Sequence, residues 1–237
     1  CVYRKFSSFQ TGASYLTVTY RNDFGLESYY TYQTQSAGRA GTGYISDHMQ
    51  RLTFVVPLLS SDSSVMPFGL SLVYNSCLSR ESFGVQQKKN PNEPPDYTRD
   101  YRNMLLGSGW KLSAQQTVVE CKVGDKTYLV YNDEDGTEHY FSKTATNTYE
   151  DEDGLGLKIV RSTSGGNTIY TMTDMDKYRT WVFHNGYLIS ITDNNSNTIY
   201  FAYNAAYGSG SAWKPVKDAS TNRLVQIVMA IHDGASQ

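Results

Sequence analysis

Alternation of apolar and polar residues runs through most of this chain, and long helical periodicity is nearly absent. In Tyr15-Leu16-Thr17-Val18-Thr19-Tyr20, one face carries Leu16, Val18 and Tyr20 and the other carries Tyr15, Thr17 and Thr19. Thr127 to Tyr131, Thr168 to Thr173 and Thr198 to Tyr203 alternate in the same way. The pattern predicts an all-β chain. One segment is ambiguous, because Leu224, Ile227, Val228 and Ile231 also fit a helical stripe. Two stretches read as loops. Ser36 to Gly43 is glycine-rich and reads as flexible. Gln86 to Arg102 holds Pro91, Pro94 and Pro95 among polar residues. Proline removes a ladder donor and restricts its predecessor, so this stretch predicts an exposed, protease-sensitive excursion.

Four segments superpose without gaps. They start at Asn132, Glu150, Thr173 and Thr192, and each places Asp second and Asp or Asn fourth. The anchoring aspartates Asp133, Asp151, Asp174 and Asp193 lie 18, 23 and 19 residues apart. A period of about 20 residues accommodates two short strands and two turns, a β-hairpin unit. Asp and Asn side chains bond their own backbone two residues on, and glycine accepts positive φ. The turn residues are therefore Asp133, Asp135 and Gly136; Asp151, Asp153 and Gly154; Asp174 and Asp176; and Asp193 and Asn195. One hairpin is marginal in water, so such units must stack on neighbours.

Gly186-Tyr187-Leu188-Ile189-Ser190-Ile191-Thr192-Asp193, continuing to Phe201-Ala202-Tyr203-Asn204, resembles the YD repeat of bacterial RHS and teneurin-type proteins. Asn222 to Ile227 resembles the opening of a further repeat, which favours strand over helix there. Asp23 to Tyr32, Ala37 to Tyr44, Met66 to Phe68, Leu70 to Ser76 and Gly109 to Leu112 are similar to the lead-in found before such repeats. Lys177 and Ser196 stand where the turn glycine is usual, which predicts wider or less regular turns. The resemblance implies successive antiparallel hairpins forming part of a spiral YD-repeat shell. It further implies a large secreted or cell-surface parent protein whose shell helps to encapsulate or deliver a C-terminal effector, such as a polymorphic toxin. The family's self-cleavage motif is not present. The expected partners are the remainder of the same chain, with its further repeats and effector, and cell-surface glycans. The implied divisions are 1–24 as the last strand of an upstream β domain, 25–120 as the lead-in with an exposed loop at 86–102, and 121–237 as repeats.

Composition sharpens this picture in three places. Tyrosine is abundant, at 20 against 9 Phe and 3 Trp, which suits half-buried sheet surfaces. A net charge of −2 gives no basic field for nucleic acid and no polybasic membrane signal. Cys1, Cys77 and Cys121 lie far apart and form no CxxC pair; Cys77 and Cys121 are either bridged or, more ordinarily, two buried thiols. The chain opens on Cys1 with no signal-type segment, so it is expected to be an internal piece of a longer protein.

No catalytic constellation emerges, and the expectation is a non-enzyme with no cofactor. His48, His139, His184 and His232 form no HxxxH or HxH pair, and His139 and His184 read as ordinary sheet histidines. No GxSxG elbow, P-loop or GxGxxG occurs. The pairs Asp133/Asp135 and Asp151/Asp153 offer oxygen ligands for Ca²⁺, but the remaining ligands of an EF-hand loop are not at the right spacing. Turn chemistry accounts for these acids, so no metal is expected. Trp110, Trp181 and Trp213 are candidates for a glycan-stacking surface, set against core or cross-strand packing as the ordinary role.

Overall fold

The computed structural model describes residues 5–6, 18–19, 25–61, 65–76, 106–107, 109–123, 126–174, 176, 178–216 and 222–232. The loop expected at 86–102, most of 1–24, Cys1 and Cys77 lie outside the described residues, as does the side chain of Cys121.

The fold is all-β, built from antiparallel neighbours. A short pair joins β1 (Lys5–Phe6) to β2 (Val18–Thr19). A five-stranded sheet follows in sequence order: β3 (Tyr32–Ser36), β4 (Thr42–Ser46), β5 (Leu52–Ser61), β6 (Phe68–Asn75) and β7 (Trp110–Leu112). Within the stretch Ser36 to Gly43, expected to be a flexible loop, residues 37–41 form the loop of a hairpin, while Ser36, Thr42 and Gly43 belong to its strands. A 3-10 turn at Gly38–Ala40 joins β3 to β4, and Ser36 pairs with Thr42. Gly41 is required there. Its φ is 117°, and a Cβ would lie 2.3 Å from the Val55 carbonyl oxygen.

The remaining strands belong to one ten-stranded sheet. They are β8 (Thr117–Val123), β9 (Lys126–Asn132), β10 (Glu138–Ala145), β11 (Thr148–Asp151) and β12 (Leu157–Ser164). Then come β13 (Asn167–Asp174), β14 (Arg179–His184), β15 (Tyr187–Thr192), β16 (Thr198–Tyr203) and β17 (Leu224–Ala230). The ambiguous segment from Leu224 is thus a strand, its ladder to β16 overriding the helical stripe.

Strands β8 to β15 close on themselves as an eight-stranded barrel, because β15 pairs with β14 along one edge and with β8 on the other. Alternation decides what lies inside. Leu129, Phe141, Ile159, Met172, Phe183 and Leu188 are fully buried, and Tyr131, Tyr149 and Tyr170 pack with them. Eight strands leave an interior that side chains fill, and each large apolar residue buried this way contributes about 1.5–3 kcal/mol. In β13 the alternation is explicit. Tyr170, Met172 and Asp174 are buried while Ile169, Thr171 and Thr173 are half-buried.

The seam is narrow. On its second edge, β15 pairs Tyr187 with Thr117 of β8, while Ser190 to Thr192 pair with β16. Val118 N–H donates to the Gly186 carbonyl at 2.9 Å, and Leu188 N–H donates to the Gln116 carbonyl at 3.3 Å. One strand therefore closes the ring with its first half and continues the sheet with its second.

All four anchoring aspartates sit in turns at the same end of this sheet, joining β9 to β10, β11 to β12, β13 to β14 and β15 to β16. Asp133 Oδ1 accepts from the N–H groups of Asp135, Gly136 and Thr137, and Asp193 Oδ1 accepts from Asn195 and Asn197. Asp174 Oδ1 accepts from Asp176 N–H. Asp151 departs from the two-residue rule, accepting from Leu155 and Leu157 across a longer turn.

The turn at Asp193 is not wider than the glycine-bearing first turn. Asn132 pairs with Glu138 and Thr192 with Thr198, so both span the same number of residues. Ser196 takes the left-handed conformation itself, with φ 66°, where Gly136 has φ 96°. In the third turn the positive φ falls on Tyr178, at 52°, one residue after Lys177. Ser196→Gly is therefore expected to stabilise the protein by about 0.5–1 kcal/mol, the strain relieved less the entropy that glycine adds to the unfolded chain. Thermal denaturation checks it, and an unchanged or lower midpoint contradicts the strain.

Candidate functional site

The first aspartate turn does more than reverse the chain. With Asp133 Oδ1 occupied by three backbone donors, Oδ2 projects toward His139, the second residue of β10, and meets Nε2 at 3.3 Å. The other imidazole nitrogen, Nδ1, lies 3.1 Å from Asp153 Oδ2, which comes from the second aspartate turn. The Tyr131 ring, paired across the ladder, stacks on the imidazole at 5.8 Å. A third carboxylate arrives from far away in sequence, with Glu27 Oε1 4.0 Å from His139 Nε2. Glu27 is 9% exposed and His139 7%.

The segment carrying Glu27 is fixed by its own backbone. Gly25 N–H donates to Thr137 Oγ1 and Leu26 N–H to Asp135 Oδ2, both at 2.8 Å. Glu27 N–H donates to the Tyr32 hydroxyl at 2.7 Å. Gly25 is glycine for a steric reason, since a Cβ there would lie 1.9 Å from Asp135 Oδ1. The five-stranded sheet contributes from the other side. Asn75 Nδ2 of β6 donates to the Asp135 carbonyl at 3.2 Å. Lys111 of β7 is fully buried, and its Nζ donates to Asn132 Oδ1 at 3.1 Å and to the Asp133 carbonyl. The site is thus a joint in which the segment before β3, the five-stranded sheet and two barrel turns meet.

Its charges are unevenly matched. Burial disfavours the charged imidazole, yet the hydrogen bonds to Asp133 and Asp153 prevail and push His139 up to about 10. Burial likewise opposes ionisation of Asp133 and Asp153, but the His139 hydrogen bond holds both carboxyls below their ordinary value. Asp135 is pushed well up by burial and by Asp133 beside it. Glu27 is raised by burial, only partly offset by His139. Burial brings Lys111 down to about 8, against the pull of Asp133, Asp135 and Glu134.

Of the residues singled out from sequence, Asp133, Asp135, Gly136 and Asp153 converge here. Asp151 and Gly154 share the turn of Asp153 without reaching His139. Asp174, Asp176, Asp193 and Asn195 form their own turns along the same barrel end. Adjacent turns do touch, since a Cβ on Gly156 would lie 3.3 Å from Asp176 Oδ2. The tryptophans occupy separate elements. Trp110 in β7 packs on Tyr74 at 5.3 Å, Trp181 in β14 packs against the barrel core, and Trp213 sits in a 3-10 turn near Tyr200 and Tyr207.

Glu27 and Lys111 were missed by sequence reasoning as carriers of chemistry, and His139 was read as an ordinary sheet histidine. The available signal was the charge of Lys111 between Trp110 and Leu112 and that of His139 beside the turn acids. Glu27, Asp133 and His139 each present a ligand atom, and the three atoms lie within 4.8 Å of one another, an arrangement able to hold a metal ion. Comparison of the chain with protein-family models, with curated proteins and with solved structures finds no match.

Proposed function

We propose that this chain is a non-catalytic structural segment of a spiral β-shell of the RHS/YD-repeat kind. Its parent would be a large secreted or cell-surface protein whose shell helps to enclose or deliver a C-terminal effector. One observation carries the reading: four aspartate-anchored hairpins recur at one end of a single sheet, and its strand β15 divides its second edge between β8 and β16. A sheet that closes a turn and continues past its own starting strand is how a spiral begins. The buried joint suits the same role, because its carboxylates, lysine and imidazole are engaged with one another and tie the lead-in to the first repeats. Among the described residues β17 ends the sheet, and it offers an apolar edge for a further hairpin.

The open reading frame tests this directly. Further aspartate-anchored hairpins after Gln237, followed by an unrelated domain, are expected, together with a hollow shell in images of the purified parent. A stop codon at that point, or a parent without hairpin repeats, sinks the proposal.

A glycan-binding role is the second reading, and it rests on one surface cluster. Tyr200 and Tyr207 lie 4.7 Å apart, Tyr207 and Trp213 5.3 Å, and Lys214 Nζ sits 5.1 Å over the Trp213 ring. Specific binding on a glycan array, lost in Trp213→Ala, would favour it over the shell.

A further inference from the structure

We infer that Glu27, Asp133 and His139 form a binding site for a divalent transition-metal ion, with Asp153 fixing the imidazole from behind. The inference does not depend on the shell reading.

Two features of the joint carry it. First, the donors are those of such sites, one imidazole nitrogen and two carboxylate oxygens, with Glu27 brought from far away in sequence to the hairpin that carries Asp133 and His139. The 3.3 Å between His139 Nε2 and Asp133 Oδ2 matches two ligands sharing one ion at about 2.0–2.2 Å. The 4.0 Å to Glu27 Oε1 is also within reach of that ion. Second, every ligand is oriented by something else. Asp133 Oδ1 is committed to three backbone donors, the Glu27 backbone is held by Tyr32, and His139 Nδ1 is held at 3.1 Å by Asp153. A carboxylate behind a ligating histidine sets its tautomer and aims the opposite nitrogen at the ion.

The ligand set also selects the ion. Ca²⁺ and Mg²⁺ take oxygen ligands, whereas a site containing imidazole suits Zn²⁺ and its first-row neighbours. An ion here would occupy the place of the Nε2 proton, while Asp153 keeps the proton on Nδ1. Its effect would be to pin the segment before β3 to the first barrel turn.

The experiment uses the full chain stripped with EDTA and titrated with ZnCl₂, CaCl₂ or CoCl₂. One equivalent of Zn²⁺ by elemental analysis is expected, with a thermal midpoint raised by roughly 5–10 °C at a hundredfold excess over Kd. Glu27→Gln and His139→Gln should each weaken Zn²⁺ binding by at least about tenfold. Ca²⁺ should leave the midpoint unchanged. Co²⁺ bound to the unsubstituted chain gives a result that needs no variant to fold. Its spectrum should show nitrogen and oxygen ligation without thiolate charge transfer. Substoichiometric Zn²⁺, binding undiminished in both variants, an equal shift with Ca²⁺, or a cobalt–thiolate band each overturn the site.

Discussion

Lys111→Met should cost the protein about 3–5 kcal/mol of stability, the range for removing one partner from a buried charge cluster. Methionine has nearly the length of lysine, so little volume is lost and the effect isolates the charge. The lysine is fully buried, and two groups depend on it as donor: Asn132 Oδ1 and the Asp133 carbonyl. Without it both lose that hydrogen bond at a buried position, and the part-buried Asp133 and Asp135 lose a cation that offsets their burial. Urea denaturation of the two proteins measures the difference. A second variant tests the cause. Asp133→Asn keeps the side-chain oxygen that anchors the turn but removes the charge, so the double variant should lose less than the sum of the two singles. A loss below about 1 kcal/mol for Lys111→Met, or strict additivity, would show that charge compensation is not what the lysine supplies.

Gly186→Ala should open the barrel seam at a cost of about 2–4 kcal/mol, combining backbone strain with lost seam hydrogen bonds. Gly186 has φ 90°, and a Cβ there would lie 2.7 Å from the Val118 carbonyl oxygen. Gly208 provides the control. Its φ is 88°, yet a Cβ there meets nothing within 4 Å. Gly208→Ala therefore carries the conformational strain without the collision, and the difference between the two substitutions belongs to the seam. Hydrogen exchange locates it. The amides of Val118 and Leu188, which bridge the seam, should lose protection in Gly186→Ala while the hairpin amides of β12 and β13 keep theirs. Equal destabilisation by the two alanines, with the seam amides still protected, would refute the steric account.

What could be read from the sequence follows from the range of the forces involved. The aspartate turns were legible because each anchor bonds backbone groups only a few residues away, as Asp133 does to Asp135, Gly136 and Thr137. Strands such as β13 and β16 were legible because one buried face writes an alternation into the chain. The joint was not. Gly25 and Thr137 are separated by 112 positions, and nothing near Glu27 announces the turn it docks against. Lys111 looks like any edge-strand lysine until β7 is placed against Asp133. Gly186 reads as an ordinary repeat glycine, since what forbids a side chain there is the backbone of β8. Ser196 shows the reverse case, in which a turn of standard length survives the loss of its usual glycine by accepting strain.

The single-pair seam also sets an order of events in folding. Each aspartate hairpin closes over a handful of residues, whereas the seam joins Thr117 to Tyr187 and the joint spans 112 positions. Loop-closure entropy grows with that separation, so hairpins form early and the ring closes late. Until it does, β8 and the first half of β15 stay uncovered, each able to accept a strand from another molecule. Ring closure is then a race between an intramolecular partner 70 positions away and whatever else is in solution. Protein concentration during refolding, more than final stability, would decide the yield of native chain.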